Sequence, residues 1–548
     1  MLKQFFVLLI ISFSFITLFG QTPIFTHQDT LRGSITPERA WWDLTYYHLD
    51  ISVNPSDSTL SGSNTIYYKV LKSHHIMQID LQSPMQVFKV VQQNKELEFT
   101  REGNVYYIKL INEQKPGEIN SIFISYGGKP KVSLRPPWDG GISWDKDNNE
   151  NNFIATSCQG DGASLWWPCK DHMYDEPDSM LMSFTVPKHL TAVGNGRLRD
   201  IVKNRKEKTK TFHWFVSNPI NNYGVNLNVA DYIHFGEIYE GEEGSLDCDY
   251  WVLSYNLEKA KEHFRQVPLM LKAFEYWFGP YPFYEDSYKL VEVPYPGMEH
   301  QSSVTYGNGY ENGFIGLGDI SHTGWGNKFD FMIIHESGHE WFANSITYKD
   351  IADMWVHEGF IAYSENLFID YHYGKKASSE YVRGTRQNIK NDRPIIGYYD
   401  VNYAGSGDMY PKGANMLHTL RQLVDNDSIW RSILRGLNEE FYHQTVTTGQ
   451  IENYINNKLA YDLSSMFDQY LRDVRVPVFE YVITENKLRY RWNNVIDGFE
   501  MPLAVYVNGE KQWLKPTQML QTIEFSQSLK EFSVNKNFYV IPFNITPN

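Results

Sequence analysis

The chain has 548 residues, of which 42% are hydrophobic and 15% aromatic, and its formal net charge is −15. This composition excludes an intrinsically disordered protein, and the length suffices for roughly three or four domains with sizeable cores. The acidic balance argues against a nucleic-acid partner, because phosphate binding requires clustered Lys and Arg.

The N-terminus begins MLKQFFVLLIISFSFITLFGQTP, in which one Lys precedes an apolar run from Phe5 to Phe19. That run is short for spanning a bilayer, which takes about 20 residues, but it has the length of a signal-peptide core. We predict that residues 1–20 are a signal peptide, cleaved between Gly20 and Gln21, and that the mature protein is exported to a periplasm or the cell exterior. On this prediction it has no stable membrane insertion once the signal is removed; a retained anchor is the alternative.

Three segments of different pattern follow the signal peptide. Short aromatic and β-branched runs such as YYHLDISVNP and NVYYIKLI, bounded by Gly, Pro, Asn and Asp, predict a β domain over residues 21–236. Apolar residues then recur at helical spacing and predict a mostly helical domain over 237–473. Strand patterns such as LRYRWNN and PLAVYVNG return in a small C-terminal β domain over 474–548. The predicted fold class is therefore multidomain α+β.

The three cysteines are Cys158, Cys169 and Cys248. The sequence allows either a disulfide between Cys158 and Cys169 or two buried thiols. No pair has the C-x-x-C spacing of a zinc site, so we do not expect cysteine ligands.

The stretch HESGHEW, residues 335–341, has the pattern of a zinc-binding helix. Positions four residues apart share one helix face, so His335 and His339 can bind one Zn²⁺ together. Glu336 lies beside that face, where it can accept a proton from a water on the metal without being a ligand. Two hydrogen-bonded core histidines are the alternative interpretation.

A third ligand distinguishes these alternatives. Catalytic zinc usually has three protein ligands and one open position. The segment WVHEGFIAYSE places Glu358 after a gap of eighteen residues from His339. That gap suits a loop and a returning helix, and the combined pattern is far more specific than HExxH alone. We therefore predict one Zn²⁺ per chain, held by His335, His339 and Glu358.

The segment VEVPYPGMEHQSSVTYG lies upstream of the zinc motif. A strand with Gly297 at close approach could offer backbone N–H groups to a substrate and place Glu299 beside the metal. A carboxylate there would bind a free α-ammonium through charge-assisted hydrogen bonds, which is what makes a zinc peptidase an aminopeptidase. Taken alone, Glu299 could also be an ordinary surface carboxylate.

HESGHEW, WVHEGF at its spacing and PGMEH together resemble the gluzincin zinc aminopeptidases, the family of aminopeptidase N and leukotriene hydrolase. The resemblance runs from about Tyr46 to the end of the chain. It implies a saddle-like N-terminal β domain, a thermolysin-like catalytic domain and cleavage of peptides that have a free N-terminus.

The resemblance also implies roles for individual residues. Glu336 would be the general base and Glu299 would bind the substrate's amino group, while the backbone of Gly297 and Met298 would pair with the substrate. Tyr410, in YPKG, would donate a hydrogen bond to the oxyanion. Gln159, in ATSCQGDG, would be a second contact to the amine or the first side chain.

The chain departs from the family pattern in two residues and in length. His300 and His357 stand where Asn is usual, and activity would fall at acid pH if either must remain neutral. Only about 75 residues follow the helical segment, where many relatives have a large helical domain. We therefore expect a more open site, unless dimerisation or the N-terminal domain covers it.

Other functions share the same motifs. A zinc endopeptidase would have to accept acylated N-termini, which a buried Glu299 would disfavour. Epoxide hydrolysis would require a cavity shaped for a lipid. A catalytically dead binding or scaffold protein has no chemical reason to retain the zinc triad, Glu336 and Tyr410 together. The sequence leaves the oligomeric state open, with a homodimer among the arrangements.

Overall fold

The computed structural model describes residues 23–459 and 461–545. The predicted signal peptide, residues 1–20, lies outside the described residues. The described chain starts with an arm, defined here as residues 23–40, which contains helices α1 His27–Gly33 and α2 Pro37–Ala40. In the Asp29 side chain, Oδ2 accepts a hydrogen bond from the Thr26 backbone N–H at 2.6 Å, which caps the start of α1.

The N-terminal domain is built from β-strands with alternating buried and exposed residues. One sheet has the order β13-β14-β11-β1-β2-β8-β4-β5, and two smaller sheets have the orders β12-β15-β10-β9 and β3-β7-β6. The strands are β1 Trp42–Asn54, β2 Thr59–Val70, β3 His74–Asp80, β4 Gln86–Gln92, β5 Lys95–Glu96, β6 Phe99–Glu102, β7 Val105–Gln114, β8 Ile119–Gly128, β9 Gly141–Lys146, β10 Asn152–Ser157, β11 Ser179–Pro187, β12 Thr191–Val193, β13 Arg197–Asn204, β14 Thr209–Val216 and β15 Asn228–Ala230.

The mostly helical domain, which the resemblance predicts to be catalytic, joins a mixed sheet of order β16-β17-β18-β20-β19 to a group of helices. Strand β16 crosses the predicted boundary at residues 236 and 237, and it pairs along its length with β17. The elements are β16 Tyr232–Gly241, β17 Gly244–Leu253, α3 Leu257–His263, α4 Gln266–Phe278, β18 Tyr288–Glu292, β19 Gly297–Met298, β20 Val304–Tyr306, α5 Phe331–Gly338, β21 Ile346–Tyr348, α6 Trp355–Tyr373, α7 Lys375–Gly384, α8 Pro411–Val424, α9 Asp427–Glu440, β22 Gln444–Val446, α10 Thr448–Leu459 and α11 Ser464–Phe467.

The C-terminal segment folds into two small sheets of orders β27-β24-β23-β29 and β26-β25-β28. Its strands are β23 Val478–Thr484, β24 Lys487–Asn493, β25 Leu503–Val507, β26 Glu510–Leu514, β27 Gln521–Glu524, β28 Phe532–Val534 and β29 Ile541–Asn544. The succession of β-rich, helical and β-rich parts confirms the predicted fold class.

Two hydrophobic cores hold the molecule together. One lies in the N-terminal domain, and the other is shared by the catalytic helices and the C-terminal strands, where Phe479 and Trp492 join the same cluster as Tyr470. Cys158, Cys169 and Cys248 are free and buried, so the structure has thiols where the sequence allowed a disulfide. Among the helices of the described residues, none combines the length and apolar character that a membrane crossing requires.

Candidate active site

The helix that carries the HExxH motif is anchored at its first turn. Asp330 caps α5 by accepting a hydrogen bond from the backbone N–H of Ile333 at 3.1 Å, and it also accepts one from the Tyr306 hydroxyl at 2.8 Å. The helix ends at Gly338, but His339 retains helical dihedral angles, with φ −61° and ψ −15°. His335 and the next motif histidine therefore lie on one face, as the spacing predicts.

Each imidazole is oriented by a hydrogen bond on its Nδ1 atom. His335 Nδ1 lies 2.8 Å from Glu365 Oε1, and His339 Nδ1 lies 3.0 Å from the Phe342 carbonyl oxygen. Because both partners are acceptors, each Nδ1 carries the proton and donates it. Nε2 is therefore the atom that each histidine can offer to a metal, and the two Nε2 atoms lie 3.7 and 3.4 Å from Glu358 Oε2.

The three side chains fit a zinc ion. Their ligand atoms all lie within 4.8 Å of one another, and all three residues are buried. Oxygen Oε2 of Glu358 is buried without a hydrogen-bond partner, an arrangement that is costly unless a cation binds there. Burial acts to raise the pKa of Glu358, but the histidines beside it outweigh burial and lower the pKa, which keeps the ligand ionised.

Helix α6 supplies two carboxylates to this centre. Glu358 lies in its first turn, and Glu365 lies two turns further along the same face, where it holds His335 and accepts a hydrogen bond from the Tyr381 hydroxyl. Neither Glu365 nor Tyr381 was predicted from the sequence. The seven-residue spacing between the two glutamates was a usable signal for the first, since residues seven apart share a helix face.

Glu336 lies between the metal ligands and the edge strand β19. A Cβ atom added to Gly297 would lie 3.2 Å from Glu336 Cγ, so the absence of a side chain at residue 297 leaves room for the carboxylate. Burial, opposed by the charge of His335 and reinforced by that of Glu299, raises the pKa of Glu336 to about 7. A carboxyl group with a pKa near neutrality is suited to both accept and return a proton.

Glu299 is a further carboxylate of the cavity, and it is 3% exposed. Its ligand atom lies within 4.8 Å of those of Glu336 and His339. Oε1 accepts a hydrogen bond from the Tyr223 hydroxyl at 3.1 Å, and the Glu299 backbone carbonyl accepts one from Asn344 at 3.0 Å. Burial raises the pKa of Glu299, and a cation beside it would stabilise its ionised form. Tyr223 had no signal in the sequence that would have selected it.

The remaining predicted residues lie around the same cavity. Gly297 and Met298 form β19, which pairs with β20 on one side and is the edge of its sheet on the other. The Gln159 amide, from the N-terminal domain, donates a hydrogen bond to Glu358 Oε1 at 2.8 Å and so contacts a predicted metal ligand. The Tyr410 ring stacks on the His335 ring with centroids 6.1 Å apart. Burial, followed by the charge of Glu358, raises the Tyr410 pKa well above its ordinary value, so its hydroxyl is a neutral donor.

Two family models match the chain. The model described as the peptidase M1 N-terminal domain matches residues 44–223, and the one described as the peptidase family M1 domain matches residues 261–470. The second range includes every predicted zinc ligand, and the first includes Gln159.

Curated relatives are distant in sequence. Leukotriene A-4 hydrolase of Xenopus laevis is 22% identical over 77% of this chain and 68% of its own length. A probable aminopeptidase 1 of Sulfurisphaera tokodaii is 21% identical over 72% of this chain and 52% of its own length. Aminopeptidase N of Lactococcus lactis is 20% identical over 84% of this chain and 56% of its own length. The chain therefore spans little more than half the length of the latter two.

Among solved structures, a mutant M1 zinc metallopeptidase of Deinococcus radiodurans, bound to a Tyr-Ser-Ala substrate, superposes with a TM-score of 0.66. It is 19% identical, and the match covers 79% of this chain and 95% of that one. A two-domain M1 zinc metallopeptidase mutant bound to L-tryptophan has a TM-score of 0.63 at 19% identity, over 76% of this chain and 91% of that one. These likenesses show the fold. With models of both domains matched, the chain belongs to peptidase family M1, a family of zinc metallopeptidases, and the predicted resemblance is confirmed.

Proposed function

We propose that the protein is a zinc aminopeptidase that removes the N-terminal residue from peptides. The observation that carries the proposal is Glu299, a carboxylate that is 3% exposed and lies within 4.8 Å of the Glu336 and His339 ligand atoms. Among the described residues that line its cavity there is no Lys or Arg to neutralise it. An unpaired buried carboxylate is costly, and the α-ammonium of a peptide is the cation that would pair with it beside the scissile bond.

Each residue of the site has a role in this proposal. Zinc bound by its three ligands would supply a Lewis acid that polarises the scissile carbonyl and acidifies water. Glu336 would take the water's proton on its carboxylate and return it to the leaving amine, as its pKa of about 7 permits. Tyr410 would donate to the carbonyl oxygen as negative charge develops there. The free edge of β19, at Gly297 and Met298, would pair with the backbone of the substrate.

The test compares one short peptide with a free N-terminus and the same peptide N-acetylated, each with and without a zinc chelator. We expect chelator-sensitive cleavage of the free peptide alone. Equal cleavage of both peptides would indicate an endopeptidase, and cleavage of neither would indicate an inactive binding protein.

Substitutions assign the roles. Glu299→Gln should lower kcat/KM for the free peptide by about 100-fold, because the ammonium loses its charged partner, with zinc content unchanged. Glu336→Gln should abolish turnover and also retain zinc. Glu311→Gln, at an exposed glutamate of the loop before α5, is the control for loss of one carboxylate. Wild-type activity of Glu299→Gln on the free peptide would contradict the assignment of Glu299.

We also propose that the protein is exported, on the pattern of its first 20 residues alone. N-terminal sequencing of the protein recovered from outside the cytoplasm of a secreting host should give Gln21 as the first residue. Recovery with Met1 intact, in the cytoplasm, would contradict export.

A further inference from the structure

The cavity at the site is larger than its proposed chemistry requires. It has a volume of about 710 Å³ and extends beyond the metal ligands and Glu299 to a wall that has no role so far. This apolar wall, as we define it, consists of Phe314, Leu317, Ile320, Phe331 and Met332. A wall of this kind determines which side chains a substrate can place against it.

The apolar wall lies on the leaving-group side of the scissile bond. His339, His335 and Phe331 follow one another at intervals of four residues and so share one face of α5. Glu299 lies at the His339 end of that face. The Phe331 ring stacks on the His335 ring with centroids 5.0 Å apart, and Phe314 packs against Phe331 at 5.1 Å. A peptide with its amino group at Glu299 and its first carbonyl at the metal therefore continues toward the apolar wall.

The wall continues to the cavity mouth as exposed apolar surface. Leu317 is 73% exposed, and Trp138, which reaches the cavity from the N-terminal domain, is 69% exposed. Met332 covers β19 from the wall side, because a Cβ added to Gly297 would lie 3.0 Å from its sulfur atom. Large apolar side chains exposed at a cavity mouth are typical of a surface that a ligand covers.

Apart from His322 and the two histidines of the predicted zinc site, the charged side chains that line the cavity are all carboxylates. The described lining residues include the carboxylates Glu299, Glu336, Glu358, Glu365 and Asp319, and they include neither Lys nor Arg. The Asp319 carboxylate accepts hydrogen bonds from Ser321 and the Gly324 backbone within its own loop. An acidic side chain on the substrate would therefore be desolvated against the apolar wall with no Lys or Arg to pair with it.

We propose that the enzyme selects peptides with an apolar or aromatic side chain in the residues directly after the scissile bond, and discriminates against Asp and Glu there. This inference rests on the proposed aminopeptidase function and specifies the substrate class of that same site. Burial of one such side chain against the wall, with rejection of an unpaired carboxylate, should separate the two kinds of substrate by at least about tenfold in kcat/KM.

The first experiment uses peptide amides with a free N-terminal Ala, identical except for Phe, Leu, Ala or Asp at the second residue. The wild type should cleave the Phe and Leu peptides with at least about ten times the kcat/KM of the Asp peptide. Calorimetric binding of the same peptides to the zinc-loaded Glu336→Gln variant gives a readout without turnover, and it should show the same order of affinity.

The second experiment uses charge at the cavity mouth. Leu317→Lys adds a positive charge to the apolar wall. It should lower the ratio of kcat/KM for the Phe peptide to kcat/KM for the Asp peptide by about threefold or more, because it attracts the acidic side chain and removes apolar surface. Ile238→Lys is the matched control: Ile238 is 63% exposed on β16, away from the cavity, and its substitution should leave the ratio unchanged.

The outcomes separate the two proposals. Equal kcat/KM for the Phe and Asp peptides, with acetylated peptides still refused, overturns the selectivity and leaves the aminopeptidase in place. Neither cleavage nor binding of any peptide overturns both. An unchanged ratio in Leu317→Lys overturns the assignment of the wall as its cause.

Discussion

At the scale of single residues, the two histidines that replace the family's usual Asn are buried and uncharged. His357 Nε2 accepts a hydrogen bond from the Tyr348 backbone N–H at 2.8 Å, and burial, aided by the charge of His339, holds its pKa well below the ordinary value. Burial lowers the pKa of His300 to about 3. The sequence left open whether activity requires one of these histidines to remain neutral. Because both pKa values are lowered, both histidines remain neutral near pH 6.

This has a consequence for pH dependence that kinetics can measure. Because His300 and His357 stay neutral in the folded protein, neither contributes to the acid limb of kcat/KM between about pH 5 and 8. His300→Asn and His357→Asn should leave the midpoint of that limb where it is in the wild type. A shift of about half a unit or more in either variant would contradict this.

The stability of the folded protein, unlike its activity, should depend on pH through His300. The folded pKa of His300 is depressed, so the unfolded chain binds a proton near pH 6.5 that the folded chain does not, and stability falls as the pH falls below that value. Between pH 7 and 5 the wild type should lose about 2 kcal/mol relative to His300→Asn. Denaturant unfolding at the two pH values is the measurement.

The sequence could predict the residues whose spacing has a geometric meaning. His335, Glu336 and His339 follow from helical periodicity, and the eighteen-residue gap locates Glu358. The partner of Gln159 and the role of Tyr223 could not be predicted, because both depend on contacts between segments far apart in the chain.

At the scale of elements, helices α6 and α8 approach each other closely where each has a glycine. A Cβ on Gly413 would lie 2.9 Å from Gly359 Cα, and one on Gly359 would lie 3.2 Å from the Met409 carbonyl oxygen. Gly359 follows Glu358, and Gly413 lies three residues after Tyr410. The two glycines therefore set the separation between a predicted zinc ligand and the predicted oxyanion donor.

Gly413→Ala should force these two helices apart. We expect a loss of stability of about 1–3 kcal/mol and a fall in kcat of about 10- to 100-fold with a smaller change in KM, because displacement of the phenol affects the transition state most. Gly407→Ala is the control, since a Cβ there meets nothing within 4 Å. A lowered melting temperature with unchanged kcat would show that the crossing does not position Tyr410.

Local sequence patterns predicted whether a segment forms a strand or a helix better than they predicted which strands pair in a sheet. The alternation in β1 and the helical spacing in α4 were visible in the sequence. The transfer of β16 into the catalytic sheet was not, and neither was the parallel pairing of β17 with β18, because sheet order depends on long-range packing.

At the scale of the whole molecule, the arm of residues 23–40 joins two domains from outside the matched ranges. Arg32 forms an ion pair with Asp171 of the N-terminal domain. The Phe25 ring packs between Tyr398 and Tyr403 of a catalytic-domain loop, with centroids 5.3 and 5.5 Å away. The arm falls within the predicted N-terminal β domain, and nothing in its sequence predicts this contact.

Gly33 lies where the backbone of the arm packs closely against that loop. A Cβ there would lie 2.1 Å from the backbone nitrogen of Asn402, so Gly33→Ala must displace the arm or the loop. We expect a lower melting temperature and faster proteolysis within residues 397–405. Ile24→Ala, at a residue that is 94% exposed in the same arm, should change neither. Unchanged proteolysis of Gly33→Ala would show that the arm does not restrain the loop.

The hydrogen bonds from Gln159 to Glu358 and from Tyr223 to Glu299 join residues of the N-terminal domain to residues of the catalytic domain. During synthesis, the ribosome completes the first partner of each pair long before the second. These two hydrogen bonds can therefore form only after both domains have been synthesised and have docked. The orientation of Glu358 and Glu299 by these hydrogen bonds is thus linked to the docking of the N-terminal domain, and the complete site belongs to the two domains together.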